Sequence, residues 1–341
     1  MAQEPTKTMF DVGLVELDEA EWQRRHDGPD WLTASMVPAI LGYDEYRSPF
    51  TLFHELRSGM KSPPTEDQLF RWAVGRHMEL LLGEFYTRRT GRPTFDPGPF
   101  AVAVYPDLPY LMASPDLITK NGSPGLVECK TAEVWTGDAQ KWRDRTPSLR
   151  VQCQLQAQLA CTGLQWGSLV GMVGLGKFFH VDCERNDGFI EAMLDCIAEF
   201  KERLETNDPP PVDGMSSTRE TLGKLFPEDD GTTTELDYDV AQGRWELMRE
   251  CKAESDKWST SAEEHRNWLV NAIGDARTGM AGENKFTLAT IQRSPKATVN
   301  LEGLDRDSRA RVEKVLDNLG VLWTLTEPKP YRQLYPPKKW K

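Results

Sequence analysis

LMASPDLITKNGSPGLVECK, residues 111–130, decides how this chain is read. Two apolar runs flank the turn-forming KNGSP, so the segment predicts a β-hairpin. Side chains alternate along GLVECK, which puts Glu128 and Lys130 on one face and Val127 and Cys129 on the other. With the hairpin turning around Gly122, Asp116 stands opposite Glu128, their Cβ atoms about 4.5–5.5 Å apart. Two carboxylates facing each other repel, and a hard divalent cation relieves the repulsion. Oxygen ligands at this spacing suit Mg²⁺ or Mn²⁺, which are commonly held by a few carboxylates together with water and substrate phosphate. The backbone carbonyl of Cys129 offers a further oxygen. Phosphodiester hydrolysis needs a more acidic water, neutralised phosphoryl oxygens and a stabilised leaving group. Two carboxylates holding one or two ions, with a lysine beside them to orient or deprotonate the water, fit that chemistry. A bare pattern of this length also suits charges decorating an exposed strand, with Asp116 as a turn residue. The surrounding sequence must separate the two.

TEDQLFRWAVGRHMELLLGEFYTRRTG (residues 65–91) predicts one long helix, with Thr65 and Gln68 as a capping box and Gly91 as its stop. Glu79 lies on it, with Gly75 and Arg76 on the same face. A second helix is expected to be capped by Thr146, to start at Pro147 and to end at Gly163. It carries Gln152, Gln154, Gln156 and Gln158 beside an apolar stripe of Val151, Leu155, Leu159 and Thr162. FAVAV, WGSLVGMVG and KFFHVD read as further strands, and FIEAMLDCIAEFKERL as a helix. The resulting fold class is α/β, a mixed sheet flanked by helices. Near the start, Trp22, Arg24 and Arg25 precede LTAS, whose Thr33 and Ser35 predict a helix start with hydroxyls and amides suited to a phosphate.

The net charge is −12, against which the basic residues gather locally: Arg71, Arg76, Arg88, Arg89 and Arg92, and again Lys141, Arg143, Arg145 and Arg150. An acidic body with a basic groove is compatible with a polyanionic partner. The six cysteines include no CxxC pair, which argues against a zinc ribbon or a closely ligated iron–sulfur cluster. No long apolar run and no basic-then-apolar leader is seen, so a cytoplasmic protein without membrane contact is expected. TNDPPPVDG and PEDDGTTTELDYD read as a linker over 211–239, dividing a domain at 1–210 from a smaller, mostly helical α+β module at 240–341. In that module KFTLATIQ reads as a strand, DRDSRARVEKVLDNLG as a helix, and Trp245, Trp258 and Trp268 punctuate a polar helical stretch.

The order W…R…TAS, WAVGRHMEL, ASPD, ECK and QCQLQ resembles the YqaJ-type phage recombination exonucleases, the family of bacteriophage lambda exonuclease, within the PD-(D/E)xK nucleases. The resemblance covers roughly Glu21 to Leu204. It implies a restriction-endonuclease-like core and a Mg²⁺- or Mn²⁺-dependent 5′ to 3′ exonuclease on double-stranded DNA. Such an enzyme releases 5′-mononucleotides and leaves 3′ single-stranded tails for recombination by strand annealing. It also implies a trimeric ring, a single-strand annealing protein as partner, and a phage or prophage origin in a bacterial host. Carried over by position, Asp116 and Glu128 become metal ligands, Glu79 completes the metal site directly or through water, Lys130 activates the water, and Gln154 holds the water or the lysine. Ser35 with Arg24 or Arg25 becomes the site for the 5′-phosphate, with Thr33 and Arg76 as further DNA contacts. Between Trp22 and Ser35 the chain is a couple of residues longer than the family pattern, so the choice between the two arginines stays open. Two alternatives share the fold: an endonuclease or Cas4-like end-processing nuclease, and a DNA-binding scaffold without catalysis. The missing cysteine cluster weighs against the Cas4-like reading, and the presence of Asp116, Glu128 and Lys130 together weighs against the scaffold.

Overall fold

The computed structural model describes residues 13–60, 63–120, 122–134, 136–174, 176–291, 311 and 331–335. The chain forms two compact units, Met1–Asp230 and Gly231–Lys341.

The first unit runs β1 (Val15–Glu16), α1 (Glu19–Asp27), β2 (Leu32–Thr33), α2 (Val37–Ile40), α3 (Pro49–Ser58), α4 (Glu66–Thr90), β3 (Thr94–Phe95), β4 (Ala101–Val104), β5 (Leu111–Ala113), β6 (Leu117–Thr119) and β7 (Leu126–Ala132). It continues through α5 (Gly137–Arg143), α6 (Leu149–Thr162), β8 (Trp166–Val173), β9 (Lys177–Glu184), α7 (Asp187–Thr206) and α8 (Ser216–Leu225). The expected α/β class with mixed sheets is what forms. One sheet has the order β3-β6-β7-β8-β9, with β7 and β8 parallel and the other pairs antiparallel. A smaller sheet, β1-β4-β5-β2, supports the chain that leads into β6.

The decisive hairpin closes in the expected register. Leu117 pairs with Val127 and Ile118 with Leu126, which centres the turn on residue 122, where Gly122 has φ +76°. The strand's alternation then assigns its two faces to two cores. Leu126 packs with Val151, Leu155 and Leu169 in the larger cluster, the side of α6. Val127 and Cys129 pack with Leu82, Tyr86 and Val170 in the smaller one, the side of α4. α4 begins with the full capping box at Thr65 and Gln68 and ends on left-handed Gly91, as the sequence predicts.

Three expectations are corrected. α6 starts at Leu149 with Ser148 as N-cap, not at Pro147 behind Thr146. The Thr146 amide and hydroxyl both turn back to the Lys141 carbonyl, so this residue finishes α5. Its position before a proline also disfavours helical backbone. The segment at Thr33–Ser35 is not a helix start: Thr33 belongs to β2, paired in parallel with Met112, and the short α2 begins at Val37. The stretch 211–239, read as a linker, contains α8, whose Thr218 hydroxyl donates to Ser48 at 2.7 Å and whose Thr221 meets Thr51 at 3.0 Å. α8 is thereby docked on α3, and the two units divide at Asp230, inside the expected linker.

The second unit contains α9 (Tyr238–Ile273) and an antiparallel sheet of β10 (Thr278–Ala281), β11 (Asn284–Ile291) and β12 (Tyr331–Tyr335). Phe286 and Leu288 are buried on β11, whereas α9 buries none of its residues and exposes Trp245, Trp258 and Trp268. β11 matches the expected KFTLATIQ strand. The helix expected over 305–320 lies outside the described residues apart from Arg311, which is helical.

β8 can lie against α5 only because position 171 lacks a side chain: a Cβ there would come within 2.4 Å of the Trp142 ring. Trp142 is buried and has no room to retreat. Gly171→Ala should therefore lower unfolding stability by roughly 1–3 kcal/mol, the usual cost of overpacking. Urea denaturation would measure it, and an unchanged midpoint would contradict this packing.

Candidate active site

The site forms where β6 and β7 diverge from their hairpin. Asp116 immediately precedes β6, and its Oδ2 accepts the Cys129 backbone N–H at 2.8 Å, which ties the acidic loop to the middle of β7. Glu128 projects from β7 toward α6 and is 1% exposed. A carboxylate this buried requires donors, and it has three. Gln154 Nε2 reaches Oε1 at 2.6 Å, Gln158 Nε2 reaches Oε2 at 2.6 Å, and Lys130 Nζ pairs with Oε1. The alternation expected for GLVECK is thus observed, since Glu128 and Lys130 meet on one face while Cys129 packs on the other.

Glu79 approaches from α4. Burial pushes its carboxyl up to about 7; Glu128 and Asp96 add to the rise, and Lys130 and Arg76 oppose it. Asp116 is held well above the usual carboxylate range, first by burial and then by Glu128. Burial alone would lower the Lys130 ammonium, but attraction to Glu128 and Asp116 and the hydrogen bond to Glu128 outweigh it, so its proton is held more tightly than usual. Burial also raises the Cys129 thiol, which leaves it a packed, protonated group and not a nucleophile.

Glu79 and Asp116, whose carboxyls resist ionisation through burial and then through the nearby Glu128, make with Glu128 a suitable donor set for a hard cation, whose charge would offset that penalty. Among the described residues no three His, Cys, Asp or Glu side chains are close enough to complete a metal site unaided. Water and substrate phosphate would have to supply the remaining ligands, as is usual for Mg²⁺.

The other expected residues divide. Gln154 sits on the carboxylate itself, a partner different from the water or lysine expected for it. Thr33 and Ser35 share a hydrogen bond at 2.8 Å, on the chain following β2. Extending the parallel pairing of β2 with β5 would set Ser35 level with Ser114, two residues before Asp116. Arg24 pairs with Glu21, and Arg25 donates to Glu21 at 2.6 Å while its guanidinium lies 4.0 Å from the Trp31 ring centre. Neither guanidinium is bonded to Thr33 or Ser35, so the two are not gathered with the hydroxyls here. Trp22, on the same helix, does reach the site's approach, its indole N–H donating to Ser114 at 3.4 Å. Gln158 and Arg150 were not singled out by the sequence. Arg150, four residues before Gln154, adds positive charge near Lys130 and packs over Tyr46.

Residues 21–165 match the model of the YqaJ-like viral recombinase domain. Over those residues the chain is similar to a YqaJ-like viral recombinase domain, a likeness that supports a deoxyribonuclease. The matched stretch holds Glu79, Asp116, Glu128, Lys130, Gln154 and Gln158. Among solved structures, an alkaline exonuclease from Laribacter hongkongensis is 23% identical with a TM-score of 0.45, covering 61% of this chain and all (100%) of that one. A phage-related exonuclease from Haemophilus somnus 129PT is 7% identical with a TM-score of 0.38, covering 57% of this chain and 96% of that one. Both likenesses are too distant to bear on individual residues. No curated protein matches the chain in sequence. Among the described residues no helix is long and apolar enough to cross a membrane.

The raised Glu79 has a consequence for folding without added metal. A carboxyl whose folded pKa exceeds its unfolded value binds more protons when folded, so stability falls as pH rises from about 4.5 to about 7 and is level above that. Glu79→Gln should flatten this part of the stability profile measured by chemical denaturation in a chelator. A profile with the wild-type slope would show that Glu79 is not held in this environment.

Proposed function

We propose that the YqaJ-like domain is a divalent-metal-dependent 5′ to 3′ exonuclease acting on double-stranded DNA ends, releasing 5′-mononucleotides and leaving 3′ single-stranded tails. The observation that carries the reading is the buried Glu128 carboxylate on β7, held by Lys130 and two amides, with Asp116 tied to the same strand and Glu79 near enough to feel the Glu128 charge.

Asp116 and Glu128 would hold Mg²⁺ or Mn²⁺, with Glu79 completing the set directly or through water and the Cys129 carbonyl adding an oxygen. When bound, such an ion acidifies water and neutralises charge on the phosphate being cut, whether one ion or two are present. Asp116 is braced for this by the Cys129 amide, and Glu128 by Gln154 and Gln158. Lys130 begins as an ammonium held by Glu128. Were a cation to share the carboxylates' charge, that hold would weaken; the ammonium could then give its proton to solvent and Nζ take one from the water beside it, or it could stay charged and donate to a phosphoryl oxygen. The low exposure of Glu128 limits competition from bulk water.

Thr33 and Ser35, with Arg24 or Arg25, would receive the 5′-phosphate, and Arg76 would contact the backbone of the DNA. For either arginine the Glu21 ion pair has to exchange for the phosphate, an exchange that a doubly charged group favours over a single carboxylate. The same reading includes a ring-shaped trimer, a single-strand annealing protein as partner, and work in the cytoplasm of a bacterial host. The module at 240–341 would support the nuclease or the recruitment of that partner.

End-labelled linear duplex, with and without a 5′-phosphate, tests this. With Mg²⁺ the wild-type chain should release mononucleotides from the 5′ strand and leave a closed circle intact; EDTA should stop it. Lys130→Ala should lose at least about 100-fold in kcat while still binding DNA. A variant cutting at the wild-type rate would refute the role of Lys130, and cleavage of the circle would favour an endonuclease.

A further inference from the structure

Gln158 lies one helical turn beyond Gln154 on α6, so both amides face the same carboxylate. They do not duplicate each other. Oε1 of Glu128 has two donors, Gln154 and Lys130, whereas Oε2 has Gln158 as its one protein donor among the described residues. We propose that Gln158 is a positioning residue of the metal site, fixing the plane of the Glu128 carboxylate so that its free lone pairs face the cation. The inference rests on the nuclease reading above and adds a residue to it.

Three observations carry it. Gln158 is 1% exposed, in a helix whose neighbouring buried positions are apolar: Leu155, Ala157, Leu159 and Ala160. Its Oε1 is buried with no hydrogen-bond partner among the described residues. A core position built for packing alone would hold an apolar side chain, because a buried amide left half satisfied is costly. The amide orientation is also determined: turned over, it would set a carbonyl oxygen against a carboxylate. The final torsion of a glutamate is broad, so a carboxylate anchored only at Oε1 can swing about that anchor. The second amide removes this freedom. Because Gln158 touches Glu128 and not the reacting atoms, its effect should appear as metal affinity and only through that as rate.

The test compares the full-length chain with Gln158→Met, which keeps length and volume and removes the donor. Mn²⁺ binding without DNA is measured by calorimetry, and kcat and KM on 5′-phosphorylated linear duplex are measured across a range of Mg²⁺. The expected result is Mn²⁺ affinity weakened about 10- to 100-fold, a matching rise in the Mg²⁺ needed for half-maximal rate, recovery of rate at high Mg²⁺, and unchanged KM for DNA. A residue that merely packs would lower the melting temperature and leave the metal constants alone, and that result would overturn the proposal. If the methionine chain does not fold, Gln158→Asn, which withdraws the amide by one methylene, is measured in its place, and wild-type metal constants there would overturn the proposal equally. A wild-type chain that neither binds Mn²⁺ nor cuts the duplex would overturn the nuclease reading and this inference together. One that does both, beside a variant with unchanged metal constants, would overturn the role of Gln158 alone.

Discussion

A carboxylate with almost no access to water organises this domain. Glu128 sits in the middle of a parallel strand pair, where the usual occupants are Val, Ile and Leu, and an ion there is tolerated only if its hydration is replaced. The replacement comes from two elements. Lys130 is supplied by β7 itself, two residues along, and the amides of Gln154 and Gln158 come from α6. α6 therefore has to pack at one height and one rotation over the sheet, and its apolar contacts with Leu126 and Leu169 set both. Removal of a partner would leave a charge buried without compensation, which is far more damaging than loss of an equivalent surface pair.

The opposite face of the sheet imposes a second constraint. Glu79 belongs to α4, which packs on Val127 and Cys129 and not on the side where Glu128 projects. Its distance from the other carboxylates depends on how α4 is clamped along its length. Near its C-terminal end the Tyr86 hydroxyl meets Ser168 at 2.8 Å and accepts from Arg92 at 3.0 Å, and both Ser168 and Arg92 bond Asp182. This polar chain ties the C-terminal end of α4 to β8 and β9. The half of α4 that precedes Glu79 is largely exposed. The helix is thus anchored on one side of Glu79.

What could be read from the sequence follows from how local each signal is. The period-2 alternation of GLVECK, the turn centred on Gly122 and the capping box at Thr65 are determined within a few residues, and all three stand in the structure. From them the juxtaposition of Asp116, Glu128 and Lys130 could be derived. Glu79 and Gln154 needed the resemblance to a family, because nothing in a helix says which strand it will cover. The start of α6 differs from expectation because Thr146 and Pro147 imitate a helix start while answering to α5. Thr33–Ser35 resembles a helix start locally, and its parallel pairing with β5 is a long-range contact that the local sequence does not encode. Gln158 carries no signal of its own in the sequence, because a glutamine among glutamines looks like a solvated face and only the position of Glu128 distinguishes it. α8 was hidden by the Pro- and Asp-rich sequence on either side, although its hydroxyls dock on α3.

The central claim is that these carboxylates form one cation site braced by α6. Anomalous diffraction from crystals of the full-length chain grown with Mn²⁺ tests it most directly. The account predicts a Mn²⁺ peak within coordination distance of Asp116 and Glu128, about 2.0–2.3 Å from their oxygens, with both amides still on the far side of the Glu128 carboxylate. A peak elsewhere in a chain that cuts DNA, or no peak between these two residues at saturating Mn²⁺, would contradict it.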